Sequence, residues 1–203
     1  MNKIITISRE YGSGGKEIGE KLAKQLVIPF FDKELITIAS KQSGVSPDLL
    51  ERYDEIQSSS LLYSLVMGTY PVSDGARLYP DMPLYHQVFT AQFDAIRSIA
   101  ADGPCVIVGR CSDYVLKDRK NVVNVFITAD LSFKIERLTK INGVSEKKAK
   151  ETIEKIDKKR ANYYKYYTER KWGLASNYDL SINSSRIGIE NTVKLIMEYV
   201  ELR

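Results

Sequence analysis

Apolar residues follow two rhythms along this chain. Short continuous runs lie at 3–8 (Ile4-Ile5-Thr6-Ile7), 105–108 (Cys105-Val106-Ile107-Val108) and 121–128 (Val122-Val123-Asn124-Val125-Phe126-Ile127). They are β-branched and short, so they read as buried strands, the second being a central strand covered on both faces. Pro29-Phe30-Phe31-Asp32 reads as a further short strand ending at an acid, and 178–183 as the last one. Between them the period changes to that of a helix. Ile18, Leu22 and Leu26 share one face, as do Phe89, Phe93, Ile96 and Ala100, and then Leu131, Ile135 and Leu138. Helices are also predicted over 33–42, over 46–55 with Ser46-Pro47 as its start, from Val144-Ser145-Glu146 towards Arg170, and over 189–200. Asp102-Gly103-Pro104 stops the long helix before the 105–108 strand. The stretch 58–85, rich in Tyr, Pro, Ser and Gly, is expected to be irregular and to form an inserted subdomain. Strands alternating with helices predict an α/β fold, a parallel sheet with helices on both faces.

The length of 203 residues suits about one to one and a half domains, and 43% apolar with 28% charged residues is enough to bury a core. No run approaches the ~18 apolar residues of a membrane span. The opening apolar run is too short for a secretory signal, so a cytoplasmic location is expected. Two cysteines, Cys105 and Cys111, make neither a disulfide framework nor a four-ligand zinc site, and one histidine, His86, excludes a multi-histidine metal centre. His86 lies among Pro and Tyr with no nucleophile elbow, as an ordinary surface or acceptor-side residue. The formal charge is +4, and the segment 140–160 alone holds eight Lys/Arg against four Asp/Glu. A modest, localised excess suits a phosphate-bearing small ligand at least as well as a polynucleotide.

The segment between the first strand and the first helix carries the chemistry. Gly12, Gly14 and Gly15 in Tyr11-Gly12-Ser13-Gly14-Gly15-Lys16 let the main chain approach an anion closely. The amides of such a turn, together with the following helix N-terminus, form an anion site, and Lys16 can reach the outer phosphates. A tight turn whose glycines merely redirect the chain is the plain alternative. The loop departs from the usual phosphate-loop pattern, with Glu10 in place of its first glycine and Glu17-Ile18 in place of the Ser or Thr that holds magnesium.

From here the whole chain resembles the cytidylate-kinase-like family of the P-loop nucleoside monophosphate kinase superfamily. The likeness rests on Ile5-Thr6-Ile7-Ser8-Arg9-Glu10-Tyr11-Gly12-Ser13-Gly14-Gly15-Lys16, Phe31-Asp32-Lys33-Glu34-Leu35 and Val106-Ile107-Val108-Gly109-Arg110. It continues through Ile156-Asp157-Lys158-Lys159-Arg160, the Tyr163-Tyr164 and Tyr166-Tyr167 pairs, Trp172-Gly173 and Tyr178-Asp179-Leu180-Ser181-Ile182-Asn183. The resemblance implies a P-loop fold with a five-stranded parallel sheet. Its core would be 1–39, 100–139 and 174–203, with an acceptor-binding insertion at about 40–99 and a helical lid at about 140–173. It implies in-line phosphoryl transfer from ATP or another nucleoside triphosphate, with Mg2+, to a small acceptor such as CMP or a related monophosphate.

Carried over residue by residue, Gly12, Ser13, Gly14, Gly15, Lys16 and Glu17 make the donor loop. Arg110 matches the arginine that clamps acceptor phosphate, a task suited to a guanidinium fork. Arg137 matches a phosphate-contacting arginine at the start of the lid, although Lys134, Arg137 and Lys140 equally read as one solvated helix edge. Arg160 interrupts the apolar stripe of Ile153 and Ile156, so it needs a buried partner or a ligand, and with Lys159 or Arg170 it would close over the transferring phosphate. Val108 and Cys111 stand where the family's arginine motif has acids. Asp32, Asp113, Glu10 and Glu17 are the candidate replacements, Asp32 being preferred for substrate and metal and Asp113 for substrate. Asp54 and Glu55 belong either to the acceptor region or to a solvated helix end. Two rival functions remain at this level: a nucleotide-binding protein with weak or no catalysis, and an RNA-binding module using the basic, tyrosine-rich helix 158–172. Nucleotide substrates are the expected partners, with neither membrane nor nucleic acid, and the thirteen tyrosines make a homodimer plausible.

Overall fold

In the computed structural model, which describes residues 3–55 and 84–203, β1 (Ile4–Arg9) is buried at every position. Hydrogen bonding places it at the centre of a parallel sheet of order β2-β3-β1-β4-β5. The other strands are β2 (Phe30–Phe31), β3 (Val106–Val108), β4 (Val122–Thr128) and β5 (Leu180–Asn183). The alternation of side chains along a strand then sorts the core into two layers. Ile5, Ile7, Val106 and Val108 face α1 (Gly15–Leu26) and α8 (Ser184–Leu202), meeting Ile18, Leu22, Val193 and Ile196. Ile4 and Ile107 face the opposite way, towards Leu35 of α2 (Glu34–Ser43) and Ile96 and Ile99 of α4 (Leu84–Asp102).

The expected elements are present, with three informative differences. The helix expected over 46–55 is the shorter α3 (Pro47–Arg52), capped by the Ser46 hydroxyl, and Glu55 beyond it takes a left-handed φ of 52°. The irregular stretch 58–85 lies outside the described residues except for Leu84 and Tyr85, which open α4. The carboxyl half of α4 packs on the sheet, so the region read as an insertion also supplies part of the central core.

After β3 come a four-residue turn of helix, α5 (Ser112–Val115), then β4, α6 (Leu131–Asn142) and the long α7 (Glu146–Thr168). The neighbours of β1 are β3 on one side and β4 on the other, so successive crossovers diverge at its carboxyl end. Such a divergence opens a crevice where ligands bind in α/β sheets. No helix among the described residues is long and apolar enough to cross a membrane.

Candidate active site

The glycine loop leaves β1 at this crevice. Gly12 and Gly14 have φ of 83° and 81°, a region that side-chain-bearing residues rarely adopt. A Cβ at Gly15 would lie 2.4 Å from the Cβ of Arg9, so the loop folds tightly over its own strand. Glu10, in the place of the usual first glycine, anchors the base of the loop. Its carboxylate accepts from the Thr128 hydroxyl (2.8 Å), the Ala129 amide (3.3 Å) and Lys134 Nζ (2.9 Å). Ser13 is fully buried and its hydroxyl donates to the Glu10 carbonyl at 2.8 Å, so it shapes the loop instead of facing a ligand.

The loop amides are the decisive feature. Helix α1 starts at a left-handed Gly14 without any side-chain cap, whereas the Ser46 and Ser145 hydroxyls cap α3 and α7. The Tyr11 amide donates to Asp157 Oδ1 (2.7 Å) and that of Ser13 to the Glu10 carbonyl (3.3 Å). Among the described residues, the amides of Gly12, Gly14, Gly15, Lys16 and Glu17 have no acceptor. Unsatisfied amides at a helix N-terminus, converging on a glycine turn, fit an oxyanion. Lys16 is half-exposed beside them, with Nζ 3.3 Å from Asp32 Oδ2.

On the far side of this cradle Arg137 is ion-paired with Glu17, and its guanidinium carbon lies 3.9 Å from where a Gly14 Cβ would be. The solvated-edge reading of α6 fails at Lys134, which is buried against Glu10 and Asp157 (2.9 and 3.6 Å). Lys140, paired with Glu136, is the exposed member.

Across the crevice lies a cluster of buried charge. Gly109, Arg110 and Cys111 follow β3 with φ of 77°, 50° and 54°. Left-handed non-glycine residues each cost about 1–2 kcal/mol, so tertiary contacts must impose this bend. The bend folds Arg110, 4% exposed, back over its own strand. Its NH1 donates to Asp32 Oδ1 (2.5 Å) and the Val108 carbonyl (3.0 Å), and its Nε and NH2 grip Asp54 at 3.0 and 2.7 Å. The acids missing beside Arg110 in sequence are therefore supplied through space by Asp32 and Asp54.

Burial alone would raise the pKa of Asp32. The charge and hydrogen bond of Arg110, helped by Arg9 and Lys16, outweigh it and hold the carboxyl below its ordinary value. Burial pushes the Arg110 guanidinium down, but Asp54, Glu55 and Asp32 together raise it.

Arg160 has the buried partner its position demanded. Its Nε donates to Glu55 Oε2 (3.0 Å) and its NH1 to the Arg9 carbonyl (3.2 Å). The other carboxylate oxygen of Glu55 accepts from Arg9 NH1 at 2.6 Å. Burial pushes Glu55 up, yet Arg9, Arg160 and Arg110 hold it well below the usual carboxylate range. Neither expected helper of Arg160 joins it: Lys159 is exposed, and Arg170 stacks on Tyr114 at 5.3 Å. Next to these groups opens a cleft lined by Arg9, Arg110, Arg160 and Glu55 and walled by Tyr163, Tyr164 and Trp172.

Asp113 stands behind this wall. It is buried, its Oδ2 accepts from the Tyr164 hydroxyl at 2.6 Å, and its Oδ1 has no hydrogen-bond partner among the described residues. It orients Tyr164 and does not line the cleft. His86 lies outside the cleft among Tyr85, Tyr166 and Tyr167. Most rings of the tyrosine-rich helix are engaged internally. Tyr163 and Tyr164 are buried, Tyr167 stacks on Phe89 at 3.8 Å, and Trp172 meets Phe126 edge-on.

Arg9 is the site residue that sequence reading missed. Its signal was present: a cation at the carboxyl end of an otherwise uncharged strand, immediately before the glycine loop.

The profile of the cytidylate kinase-like family matches residues 4–186, nearly the whole chain. The chain belongs to that family. No curated protein matches it. Among solved structures, an uncharacterized protein from Eubacterium ventriosum ATCC 27560 is similar at 29% identity and a TM-score of 0.73, each chain covering 99% of the other. Shikimate kinase from Bacteroides thetaiotaomicron is similar at 15% identity and a TM-score of 0.56, again with 99% of each chain covered. Shikimate kinase from Acinetobacter baumannii, in complex with shikimate, is similar at 10% identity and a TM-score of 0.52, over 98% of this chain and 93% of the other. These two share the kinase-like P-loop fold.

Family membership raises the question of magnesium, and the side chains of the described residues do not form a site for it. Among the described residues no cluster of three acidic, histidine or cysteine ligands exists. The Asp32 oxygens are taken by Arg110 and Lys16, and Glu17 is paired with Arg137. Asp32, the expected candidate for substrate and metal, lies between the two cations Lys16 and Arg110.

Proposed function

We propose that this chain is a phosphotransferase that moves the terminal phosphoryl group of ATP or another nucleoside triphosphate to a small acceptor held in the cleft. The observation that carries this reading is that the amides of Gly12, Gly14, Gly15, Lys16 and Glu17, at the uncapped start of α1, have no acceptor among the described residues. Those amides bind the triphosphate tail, and Lys16 and Arg137 flank it as cations. Arg160, borne on α7, and Arg9 and Arg110, at the ends of β1 and β3, place positive charge on the acceptor side. As the acceptor oxygen bonds to the terminal phosphorus, the bond to the bridging oxygen breaks and the diphosphate leaves. Catalysis of this kind rests on positioning and charge neutralisation. Asp32, bridging Lys16 and Arg110, ties the donor side to the acceptor side. CMP or a related monophosphate is the acceptor that the family suggests, and the arginine-lined cleft suits its phosphate.

A second reading, nucleotide binding with little turnover, draws support from the engaged Asp32 oxygens and the missing loop Ser/Thr. Calorimetric titration with ATP and magnesium, followed by a coupled ADP-release assay over nucleoside monophosphates and small hydroxyl acceptors, separates the two. Turnover with one acceptor supports the phosphotransferase; binding without turnover on any acceptor leaves the second reading; no binding removes both.

A further inference from the structure

Arg9 and Arg160 reach the cleft from different elements, the end of β1 and the middle of α7, and both guanidinium groups turn onto one carboxylate. Two cations thus share one anion. Gly109 makes room for the arrangement: a Cβ there would lie 2.3 Å from Arg9 NH1 and 2.6 Å from Glu55 Oε1.

The three arginines differ in what they still have to offer. A guanidinium carries five N–H donors. Arg110 makes four hydrogen bonds, to Asp32, Asp54 and the Val108 carbonyl. Asp54 is pinned further by Gln92 Nε2 at 3.0 Å and does not line the cleft. By contrast, Arg9 makes one hydrogen bond and Arg160 two among the described residues. Among the described residues, Glu55, which lines the cleft, accepts hydrogen bonds from those two cations alone. Arg110, the residue expected to clamp an acceptor phosphate, is therefore occupied. The spare donors belong to Arg9 and Arg160.

We infer that Arg9 and Arg160 form the oxyanion site of the acceptor pocket and that Glu55 is its resident place-holder, displaced when a phosphate or carboxylate group of the acceptor binds. The inference rests on the phosphotransferase reading for naming this cleft the acceptor side. Exchange of one anion for another keeps the buried arginines neutralised throughout, and a dianionic phosphate matches their two charges better than a single carboxylate does. The place-holder also keeps the two guanidinium groups from repelling each other when the cleft is empty.

The test is calorimetric titration of the full chain with inorganic phosphate at constant ionic strength. Glu55→Gln should bind phosphate at least ten-fold more tightly than the wild type, and adding Arg160→Gln should abolish that increase. Glu55→Asp, which keeps the charge but is one methylene too short to bridge both arginines, should show a smaller increase of about three-fold. It carries the test if Glu55→Gln does not fold. Unchanged or weaker phosphate binding in the folded variants overturns the inference. The titration is repeated with the glycine loop saturated by a non-hydrolysable ATP analogue. Persistence of the increase supports an acceptor site, whereas competition would assign the anion to the donor's terminal phosphate and overturn it. Binding of the analogue to the loop tests the phosphotransferase reading separately, because none of these variants alters the segment from Gly12 to Glu17.

Discussion

Replacing Arg110 with methionine keeps an unbranched apolar stem and removes the guanidinium with its charge, and the environment sets the cost. The Arg110 side chain is 3% exposed, and the two carboxylates it holds, on Asp32 and Asp54, are 8% and 18% exposed. Asp32 would keep Lys16 at 3.3 Å, and Asp54 would keep Gln92. Breaking a buried ion pair by removing one partner costs about 3–5 kcal/mol. For a chain of this length each kcal/mol lowers the melting temperature by roughly 2–4 °C, so Arg110→Met should melt about 10 °C below the wild type at pH 7.

The loss should depend on pH. In the wild type Asp32 is held below its unfolded pKa, so its contribution is present at neutral pH and lost as pH falls through the folded value. Without Arg110 the burial that Arg110 outweighed becomes dominant and the folded pKa rises. The variant's Asp32 is then tolerated only below the unfolded pKa, and its penalty grows as pH rises. Melting curves of both proteins at pH 7 and pH 4 should therefore converge at the acid end. Adding Asp32→Asn to Arg110→Met should recover part of the loss at pH 7. A drop of less than about 1 kcal/mol, or one equal at both pH values, would refute the buried-charge account.

Three further outcomes follow from the same geometry. Lys16→Ala should melt within about 2 °C of the wild type, because the residue is half-exposed, while losing roughly 10–100-fold in ATP affinity by calorimetry. Unchanged affinity would count against the cradle. Gly14→Ala must place a methyl group at φ 81° and 2.3 Å from Ile189 Cδ1, so it should cost about 1–3 kcal/mol in denaturant melts and abolish triphosphate binding; wild-type behaviour in both assays would contradict the close packing. Asp113 is pushed up by burial, against the pull of Tyr164 and the neighbouring amides. A folded pKa above the unfolded one means that its charge destabilises as pH rises. Asp113→Asn should accordingly raise the melting temperature at pH 7 by a few degrees and have less effect at pH 4, and a fall at pH 7 would exclude this account.

Local pattern was enough to reveal most elements. Runs such as Ile4-Ile5-Thr6-Ile7 and the spacing of Ile18, Leu22 and Leu26 announce strand and helix because each period reflects a backbone geometry only a few residues long. The glycine loop was legible for the same reason. Left-handed backbone and close approach need glycine wherever they occur. A cation interrupting an apolar stripe, Arg160, declared that it needed a partner.

Which partner could not be read, because Glu55 lies 105 residues away in sequence and meets Arg160 only once α7 has folded over the loop. The partners of Lys134 and Asp32 were hidden for the same reason. A lysine on a charged helix edge looks solvated until Glu10 and Asp157 close on it, and an acid at a strand end looks free for metal until Arg110, 78 residues on, takes one of its oxygens. Arg9 was passed over because its role comes from meeting Glu55 and Arg160, not from its neighbours in the chain. Backbone conformation answers to local sequence, so strands, helices and the glycine loop were set in one dimension. Strand order and the pairing of buried charges depend on contacts between distant segments, and only folding in three dimensions could decide them.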